Sequence, residues 1–239
     1  MRIQRALARA GIASRRRADE MVAAGRVRVN GEVALVGQLV DPQHDRLSID
    51  GEPVEPPAAA RWLVLHKPAG VVTTRRDPQG RRTVFDLVEQ IPGLTYVGRL
   101  DYLTEGVLLL TTDGAAAHGL AHPSRQVERS YVATVRGDAG RVLRQARHGV
   151  SLEDGLVVPV DLDATPRGHG RWELSVTLTE GRNREVRRFC QALGLDVERL
   201  VRTRFGPVTL GALAAGASRA LTRGERSALD AILNAEQTR

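Results

Sequence analysis

The apolar run Val107-Leu108-Leu109-Leu110 is the feature that most constrains how this chain folds. It follows the segment GRLDYLTEG at 98–106 and ends at the turn sequence TTDG. A short apolar run between turn signals is typical of a strand buried on both faces of a sheet. A second strand ends in TYVG just before 98–106, so Asp101 is predicted on a loop between two core strands, where a scaffold can hold a carboxylate at a cleft. The alternative is that Asp101 only caps the turn by bonding to its own backbone.

Length and composition indicate a globular protein, since 239 residues with 42% hydrophobic content suffice for one large domain, or one large and one small. No stretch approaches about 18 continuous apolar residues, and MRIQRALARAGIAS at the N-terminus lacks the features of a signal peptide. We therefore expect a cytoplasmic protein without a membrane span. Cys190 is the single cysteine, and no histidine or cysteine spacing matches a motif such as HExxH or CxxC. We expect neither a disulfide nor a metal site, and Cys190 is interpreted as a packing residue.

Arginine is concentrated in two segments of a chain whose formal net charge is +7. Residues 1–30 contain eight arginines against two acids, and residues 182–204 contain seven against three. Clusters of this kind indicate a polyanionic partner. A GC-rich genome would explain why the chain has 34 arginines and one lysine, Lys67, but it does not explain the clustering.

The first 50 residues are predicted to form two short helices and a hairpin. Apolar residues at helical spacing predict a helix over 2–10, and Ser14 is the expected N-cap of a second helix that ends at Gly25. Its first turn holds three arginines, 15–17, although the helix dipole disfavours cations there. Either bound phosphates compensate for this or the arginines form a solvated charged face. RVRVNGEVAL then predicts two strands joined by an Asn-Gly turn.

The segment SRRRADEMVAAGRVRVNGEVA resembles the S4 RNA-binding domain, which implies contacts with RNA phosphates. DGEPVEPPAAAR has three prolines and no periodicity, and it predicts a linker over 50–61 between a small domain at 1–49 and a large domain at 62–239. In the large domain we expect a helix near Thr83, paired strands in WLVLHKPAGVVTT and ERLVRTRFGPVTLG, and a loop entering a helix in GRNREVRRFCQALG. The predicted fold class is α+β, with a mostly antiparallel mixed sheet.

Three motifs in this order extend the resemblance over nearly the whole chain: LVLHKPAGVVTT, GRLDYLTEGVLLLTTDG and LTEGRNREVRRFCQALGLDVERLVRTRFGPVTLG. With the S4-like start, they resemble the bacterial ribosomal-RNA pseudouridine synthases of the small-subunit synthase A family, and most of all its B-type members, which modify large-subunit RNA. The chain departs from the usual family pattern at Arg129-Ser130, where Lys-Thr is often found, at Thr112, often Asn, and at Glu185, often Gln.

The resemblance implies catalytic roles for three residues. Asp101 matches the catalytic aspartate, Tyr131 of VERSYVATV matches a tyrosine that stacks on the target uracil and acts in proton transfer, and Arg187 matches the basic residue of the active site. The implied reaction isomerises a uridine of ribosomal RNA, most closely of the 23S large-subunit RNA, to pseudouridine without a cofactor. We expect Arg187 within about 4–6 Å of Asp101, where it would lower the pKa of that carboxyl. Without the resemblance, Tyr131 is equally well explained as a strand core residue.

Basic residues are the candidates for RNA contact: Arg2, Arg5, Arg15, Arg16, Arg17, Arg26, Arg28, Lys67, Arg99, Arg182, Arg184 and Arg188. Lys67, next to a proline in a turn, is interpreted as a positional residue rather than a Schiff-base nucleophile. We expect a monomer whose partner is ribosomal RNA, free or in an assembling ribosomal particle. A ribosome-associated S4 factor without catalysis is the alternative, and a DNA-binding regulator is disfavoured because no recognition helix is apparent.

Overall fold

A computed structural model of the chain describes residues 1–41, 44–55 and 59–235. Contacts divide the chain into two compact units, each containing several segments. The first unit comprises Met1–Trp62, Gln90–Thr95 and Thr111–Ala115, and the second comprises Leu63–Glu89, Tyr96–Leu110 and Ala116–Arg239. The predicted domains, 1–49 and 62–239, are continuous in sequence, whereas the first unit also takes two short segments from beyond residue 62.

The described residues form six α-helices: α1 (Ile3–Arg9), α2 (Arg15–Ala23), α3 (Gly114–Ala121), α4 (Ala139–Ala146), α5 (Glu185–Ala192) and α6 (Arg223–Asn234). The strands in the same ranges are β1 (Val27–Val29), β2 (Glu32–Val33), β3 (Leu47–Ile49), β4 (Glu52–Pro53), β5 (Trp62–Lys67), β6 (Thr95–Tyr96), β7 (Thr104–Thr111), β8 (Arg129–Arg136), β9 (Val150–Leu152), β10 (Gly155–Val157), β11 (Asp161–Gly168), β12 (Arg171–Leu178), β13 (Asp196–Phe205), β14 (Val208–Thr209) and β15 (Ser218–Ala220). Two single-turn 3-10 helices are at Val84–Leu87 and Pro123–Arg125.

In the first unit, α1 and α2 share one core with a four-stranded sheet in the order β2-β1-β3-β4. Ser14 caps α2 as predicted, because its hydroxyl oxygen accepts the backbone N–H of Arg17 at 3.3 Å. β1 and β2 pair across Asn30 and Gly31, whose φ angles of 52° and 91° are the positive values that a tight hairpin turn needs. The predicted arrangement of two helices and a hairpin is confirmed.

A second hairpin, β3–β4, falls where the sequence predicts the start of a linker. Asp50 and Gly51 form its turn with φ angles of 53° and 92°. Pro53 is tolerated because β4 is an edge strand, where a missing N–H costs no ladder bond. The interval 50–61 therefore begins inside the first unit's sheet, and its residues 56–58 lie outside the described part of the chain.

The second unit is built on a nine-stranded mixed sheet whose main path is β11-β12-β8-β13-β7-β5-β15. β14 pairs with β13, and β6 pairs with β7. β13 and β7 run parallel, with Leu200 opposite Thr104, whereas β8 is antiparallel to both β12 and β13. The predicted α+β class with a mostly antiparallel mixed sheet is confirmed.

β7 lies inside this sheet, and Val107, Leu108, Leu109 and Leu110 are each 0% exposed. This is the burial on both faces that the continuous apolar run predicts. α5 packs Phe189 and Cys190 into the core of the second unit. Burial raises the pKa of the Cys190 thiol to about 12, so the thiol stays protonated and acts as a packing group.

Within the described ranges, none of the helices has the length and apolar character needed to cross a bilayer. The same ranges contain no group of three or more histidine, cysteine, aspartate or glutamate side chains placed to hold a metal ion.

Candidate active site

A cavity of about 270 Å³ lies in the second unit. Its walls come from the loop that precedes β7, from β8, from the segment that enters α5, and from β13. Asp101, Tyr131 and Arg187, the three residues given catalytic roles by the resemblance, all line it. Its volume is near the lower end of the range for small-molecule sites, about 300–1,000 Å³, and suits one group the size of a nucleobase.

The loop that carries Asp101 is fixed at several backbone positions. The Thr73 hydroxyl donates to the Leu100 carbonyl at 2.9 Å, and the Asp101 carbonyl accepts the Thr104 N–H at 3.0 Å. At Gly106 a Cβ atom would lie 2.1 Å from the carbonyl oxygen of Arg202, so only glycine lets β7 approach β13 this closely. These contacts hold the backbone on both sides of the aspartate.

The Asp101 side chain is partly buried and lines the cavity. No hydrogen bond or ion pair reaches its carboxylate from the part of the chain that the structure describes. An aspartate that only capped the turn would accept a backbone N–H, and the described residues show no such bond. The carboxylate is held in place by its backbone and remains available to a ligand.

Lys67 is 0% exposed and lies beneath the Asp101 loop. Its ammonium donates to the carbonyls of Thr104 at 2.8 Å and Pro68 at 2.9 Å, with Tyr102 at 3.4 Å. Burial lowers its pKa to about 8, against the opposing attraction of Asp101 and Glu105. The prediction that Lys67 contacts RNA is wrong, because an enclosed ammonium cannot reach a phosphate.

Arg187 lines the cavity and donates to the Leu103 carbonyl at 3.2 Å. Burial lowers its pKa, the charge of Arg184 lowers it further, and Asp101 acts in the opposite direction. Arg187 and Asp101 therefore interact through their charges, but no ion pair within 4.0 Å joins them among the described residues. The predicted approach to about 4–6 Å stays a prediction.

Tyr131 lies on β8, opposite Val176 of β12 and Arg202 of β13. Its ring packs against the core of the second unit while the residue also lines the cavity. Tyr131 is thus a half-buried strand residue that packs in the core and also lines the cavity, and its roles in stacking and proton transfer stay predictions.

Comparisons with known proteins agree with this geometry. A model of the S4 domain matches residues 1–47, and a model described as RNA pseudouridylate synthase matches residues 61–192, more than half of the chain. The chain belongs to the RNA pseudouridylate synthase family. The resemblance stated from the sequence is thereby confirmed.

Individual members of this pseudouridylate synthase family match over most of the chain. A protein of Pseudomonas aeruginosa named ribosomal large subunit pseudouridine synthase B is 45% identical over 218 residues, which are 87% of this chain and 56% of that protein. The chain thus spans little more than half the length of this relative. An RNA pseudouridine synthase of Aquifex aeolicus, described as uncharacterized, is 40% identical over 233 residues, 96% of this chain and 93% of the relative. A crystal structure of a pseudouridylate synthase covers 96% of this chain and 99% of its own, with 26% identity and a TM-score of 0.65.

Two arginines that the sequence assigns to RNA contact, Arg182 and Arg188, form ion pairs with acidic side chains. Arg188 forms a two-pronged pair with Asp154, at 2.9 and 2.7 Å. Arg182 bonds to Glu180 and also donates to the Gly155 and Leu156 carbonyls. Apart from the one to Glu180, these bonds span 26 to 34 residues in sequence, so local charge counting cannot detect them. Both arginines hold the β9–β10 hairpin beside α5, and their contact with RNA stays a prediction.

The other predicted contacts remain accessible. Arg99 and Arg184 are exposed residues that line the cavity. Of the predicted contacts in the first unit, Arg5 is half-buried and the others are exposed: Arg2, Arg15, Arg16, Arg17, Arg26 and Arg28. Two of these are paired with acids, Arg17 with Glu20 and Arg26 with Asp50. Their contact with RNA stays a prediction.

The charges buried at the cavity were not predicted. Arg129, Glu185 and Arg202 line it although they are only 4%, 6% and 2% exposed. The guanidinium carbons of Arg129 and Arg202 each lie 5.2 Å from the ring centroid of Phe205, within cation–π range. Side chains alternate between the two faces of a strand, so Arg202 lies on the same face of β13 as the buried Leu200. This alternation is the sequence signal from which the burial of Arg202 could have been predicted.

Proposed function

We propose that this synthase isomerises a uridine of ribosomal RNA, in the large subunit, to pseudouridine without a cofactor. The proposal rests on the Asp101 carboxylate, which is fixed by its loop, unpaired within the described chain, and placed in the wall of a base-sized cavity. The name of the Pseudomonas aeruginosa relative, ribosomal large subunit pseudouridine synthase B, supports the choice of RNA. A non-catalytic S4 factor is not favoured, because it would have no need for such a carboxylate.

The reaction breaks the C1′–N1 bond of uridine, turns the uracil, and joins C5 to C1′. C5 loses a proton and N1 gains one, so atoms and electrons balance within the nucleotide. An ionised, unpaired carboxylate can attack the sugar or the base, or stabilise a glycosyl cation. Asp101 has this role in our proposal, and Arg187 places a positive charge at the same cavity.

The target base has to leave its stack to enter the cavity. Tyr131 offers a ring on which the extruded uracil can stack, with a stacking contribution of about 1–3 kcal/mol, and a hydroxyl for the proton transfer at C5. Arg99 and Arg184, exposed at the cavity, supply phosphate contacts next to the flipped nucleotide.

Pseudouridine mapping in ribosomal RNA tests the function. RNA from a strain that lacks the gene is expected to lose pseudouridine at one or a few large-subunit positions, and the purified protein is expected to restore it on an RNA fragment that contains such a position. An unchanged pseudouridine map, together with no conversion of any large-subunit fragment, would refute the proposal.

Tyr131→Phe is expected to separate stacking from proton transfer. The ring remains, so the Kd for RNA should change by less than about threefold, whereas turnover should fall by about 100-fold if the hydroxyl moves the proton. Single-turnover conversion and filter binding measure the two quantities. Tyr96→Phe is the matched control, since Tyr96 packs on Phe85 and does not line the cavity. Unchanged turnover would leave Tyr131 as a stacking platform only.

RNA affinity is expected to fall with salt because arginines of the first unit displace counterions from phosphates. Each lost contact should reduce the slope of log Kd against log salt by about 0.7–0.9. Arg15→Gln and Arg16→Gln together should therefore reduce it by about 1.5, as both residues are exposed. Arg167→Gln, whose arginine is paired with Glu173, should leave the slope unchanged. A slope that is insensitive to the double substitution would argue against RNA contact by α2.

A further inference from the structure

Three cavity residues carry buried polar atoms without a hydrogen-bond partner: Nη2 of Arg202, Oε1 of Glu185 and Oγ1 of Thr104. The described residues contain eight such side-chain atoms, so three in one cavity is a concentration. Buried polar groups in folded proteins are nearly always paired, because an unpaired one costs free energy. Because all three residues line the cavity, a base that enters it is the candidate partner for these groups.

Arg202 is fixed through its Nε, and its buried Nη2 has no acceptor among the described residues. Its Nε donates to the Val107 carbonyl at 2.8 Å, and its guanidinium lies against the Phe205 ring. Arg202 also pairs with Gly106 through the parallel β13–β7 ladder, which fixes its backbone. Because a guanidinium only donates, the free Nη2 requires an acceptor.

Glu185 is fixed through one carboxylate oxygen, and its other oxygen, Oε1, has no hydrogen-bond donor among the described residues. It is the first residue of α5, and its Oε2 accepts the Gly181 N–H at 2.9 Å. The nearest cation, Arg182, has its Nε 3.9 Å from Oε1, beyond hydrogen-bond distance. Burial raises the pKa of the Glu185 carboxyl, and a hydrogen-bond donor at Oε1 would favour its ionised form.

We propose, building on the function proposed above, that Arg202 and Glu185 recognise the uracil edge. Glu185 Oε1 accepts the N3–H, and Arg202 Nη2 donates to a carbonyl oxygen next to N3. Cytosine presents an unprotonated N3 and, at position 4, an amino group, so both contacts would be mismatched for that edge. A site with buried polar groups of this kind discriminates strongly against a base that leaves them unpaired.

The same two contacts are compatible with the rotation of the detached uracil that the reaction requires. Uracil carries a carbonyl on each side of N3–H, and a half-turn about the N3–C6 axis exchanges O4 with O2 and C5 with N1. Glu185 can therefore keep N3–H while Arg202 meets one carbonyl before the turn and the other after it. The pair would hold the detached uracil without opposing its rotation.

The test measures the coupling between Glu185 and N3–H. Two copies of the RNA fragment converted in the assay above carry, at the target position, either uridine or 3-deazauridine. The analogue has C3–H in place of N3–H and an acidic hydroxyl in place of the C4 carbonyl, and it keeps the C2 carbonyl. Binding is measured in an Asp101→Asn background so that no product forms. The parent of this comparison, the Asp101→Asn protein, should bind the uridine RNA about tenfold more tightly than the 3-deazauridine RNA, as expected for a hydrogen bond to a charged group. Adding Glu185→Met should reduce this ratio below about twofold.

Two controls make the result specific. Arg202→Met should weaken the binding of both RNAs but keep most of the ratio between their affinities. Arg199→Met should change neither the affinities nor their ratio, since Arg199 pairs with Glu105 and does not line the cavity. Glu185→Ala serves if the methionine variant does not fold. An affinity ratio near one in the parent, or a ratio of about ten in a folded Glu185 variant, would overturn this inference but not the proposed function. No conversion of any fragment by the unsubstituted protein would overturn it together with the proposed function.

Discussion

Asp101→Asn is expected to fold, to bind RNA and to form pseudouridine at least about 1,000-fold more slowly than the unsubstituted protein. Asparagine is nearly isosteric and stabilises turns as well as aspartate does. The carboxylate makes no hydrogen bond within the described chain, so its removal loses only the charge interactions with Lys67 and Arg187, and Tm should shift by less than a few degrees. Tritium release or mass-based pseudouridine detection, with a thermal melt and RNA binding, measures the three quantities.

Two further variants make the Asp101 result decisive. Asp101→Glu keeps the charge but displaces it by about one carbon–carbon bond, and misplacement by about 1 Å can cost about 100-fold in rate. Asp161→Asn removes an exposed carboxylate from β11, which does not line the cavity, and should change nothing. Near-normal turnover by folded Asp101→Asn would return the aspartate to a structural role in its turn.

The fold was predictable where local signals agreed with the tertiary environment. The run 107–110 predicted a strand buried on both faces, and Ser14 with the Asn-Gly turn predicted the helix and hairpin of the first unit. The helix expected near Thr83 is only the 3-10 turn Val84–Leu87, capped by Thr83 and Asp86. A composition rich in proline and alanine hid the β3–β4 hairpin, although its Asp-Gly turn was visible in the sequence.

The site was predictable only in part. Spacing placed Asp101 on a loop between core strands, but the resemblance, and not spacing, selected Asp101, Tyr131 and Arg187 together. The cavity that joins them forms through strand pairings between residues about 70 or more positions apart, such as Arg202 with Tyr131. The burial of cations also depends on these long-range strand pairings. They decide whether an arginine or lysine is exposed to a phosphate or enclosed against a carbonyl, so local sequence does not predict it.

Lys67 shows how this burial supports the site. Its ammonium joins the end of β5 to the carbonyls of Tyr102 and Thr104, on the two sides of the exposed Leu103 in the loop that carries Asp101. Enclosing a cation costs free energy, and the carbonyls offset part of that cost. The arrangement fixes the loop that carries Asp101 from below, and the Asp101 carboxylate has no hydrogen-bond partner among the described residues.

The stability of the protein is therefore expected to increase with pH as Lys67 loses its proton. Burial lowers the pKa of Lys67 to about 8 in the folded protein, whereas an unfolded chain has an ordinary lysine pKa of about 10.4. Between these values the unfolded state binds more protons, so the free energy of unfolding rises, by about 3 kcal/mol over the full interval. Below about pH 8 both states are protonated and the contribution is constant.

Lys67→Met isolates the contribution of Lys67 to the pH dependence of the free energy of unfolding, because the other titratable groups are the same in the variant and in the unsubstituted parent protein. At pH 7 the variant loses hydrogen bonds to buried carbonyls but also avoids enclosing a charge, and these effects of about 1–3 kcal/mol each largely cancel. From pH 8 to pH 10, urea unfolding should show the parent gaining stability over the variant. Since Lys67 is the chain's single lysine, ¹³Cε labelling of lysine gives one resonance, expected to titrate with a midpoint near 8. A midpoint near 10.4, or a stability difference that does not change with pH, would show that the ammonium is not enclosed beneath the Asp101 loop.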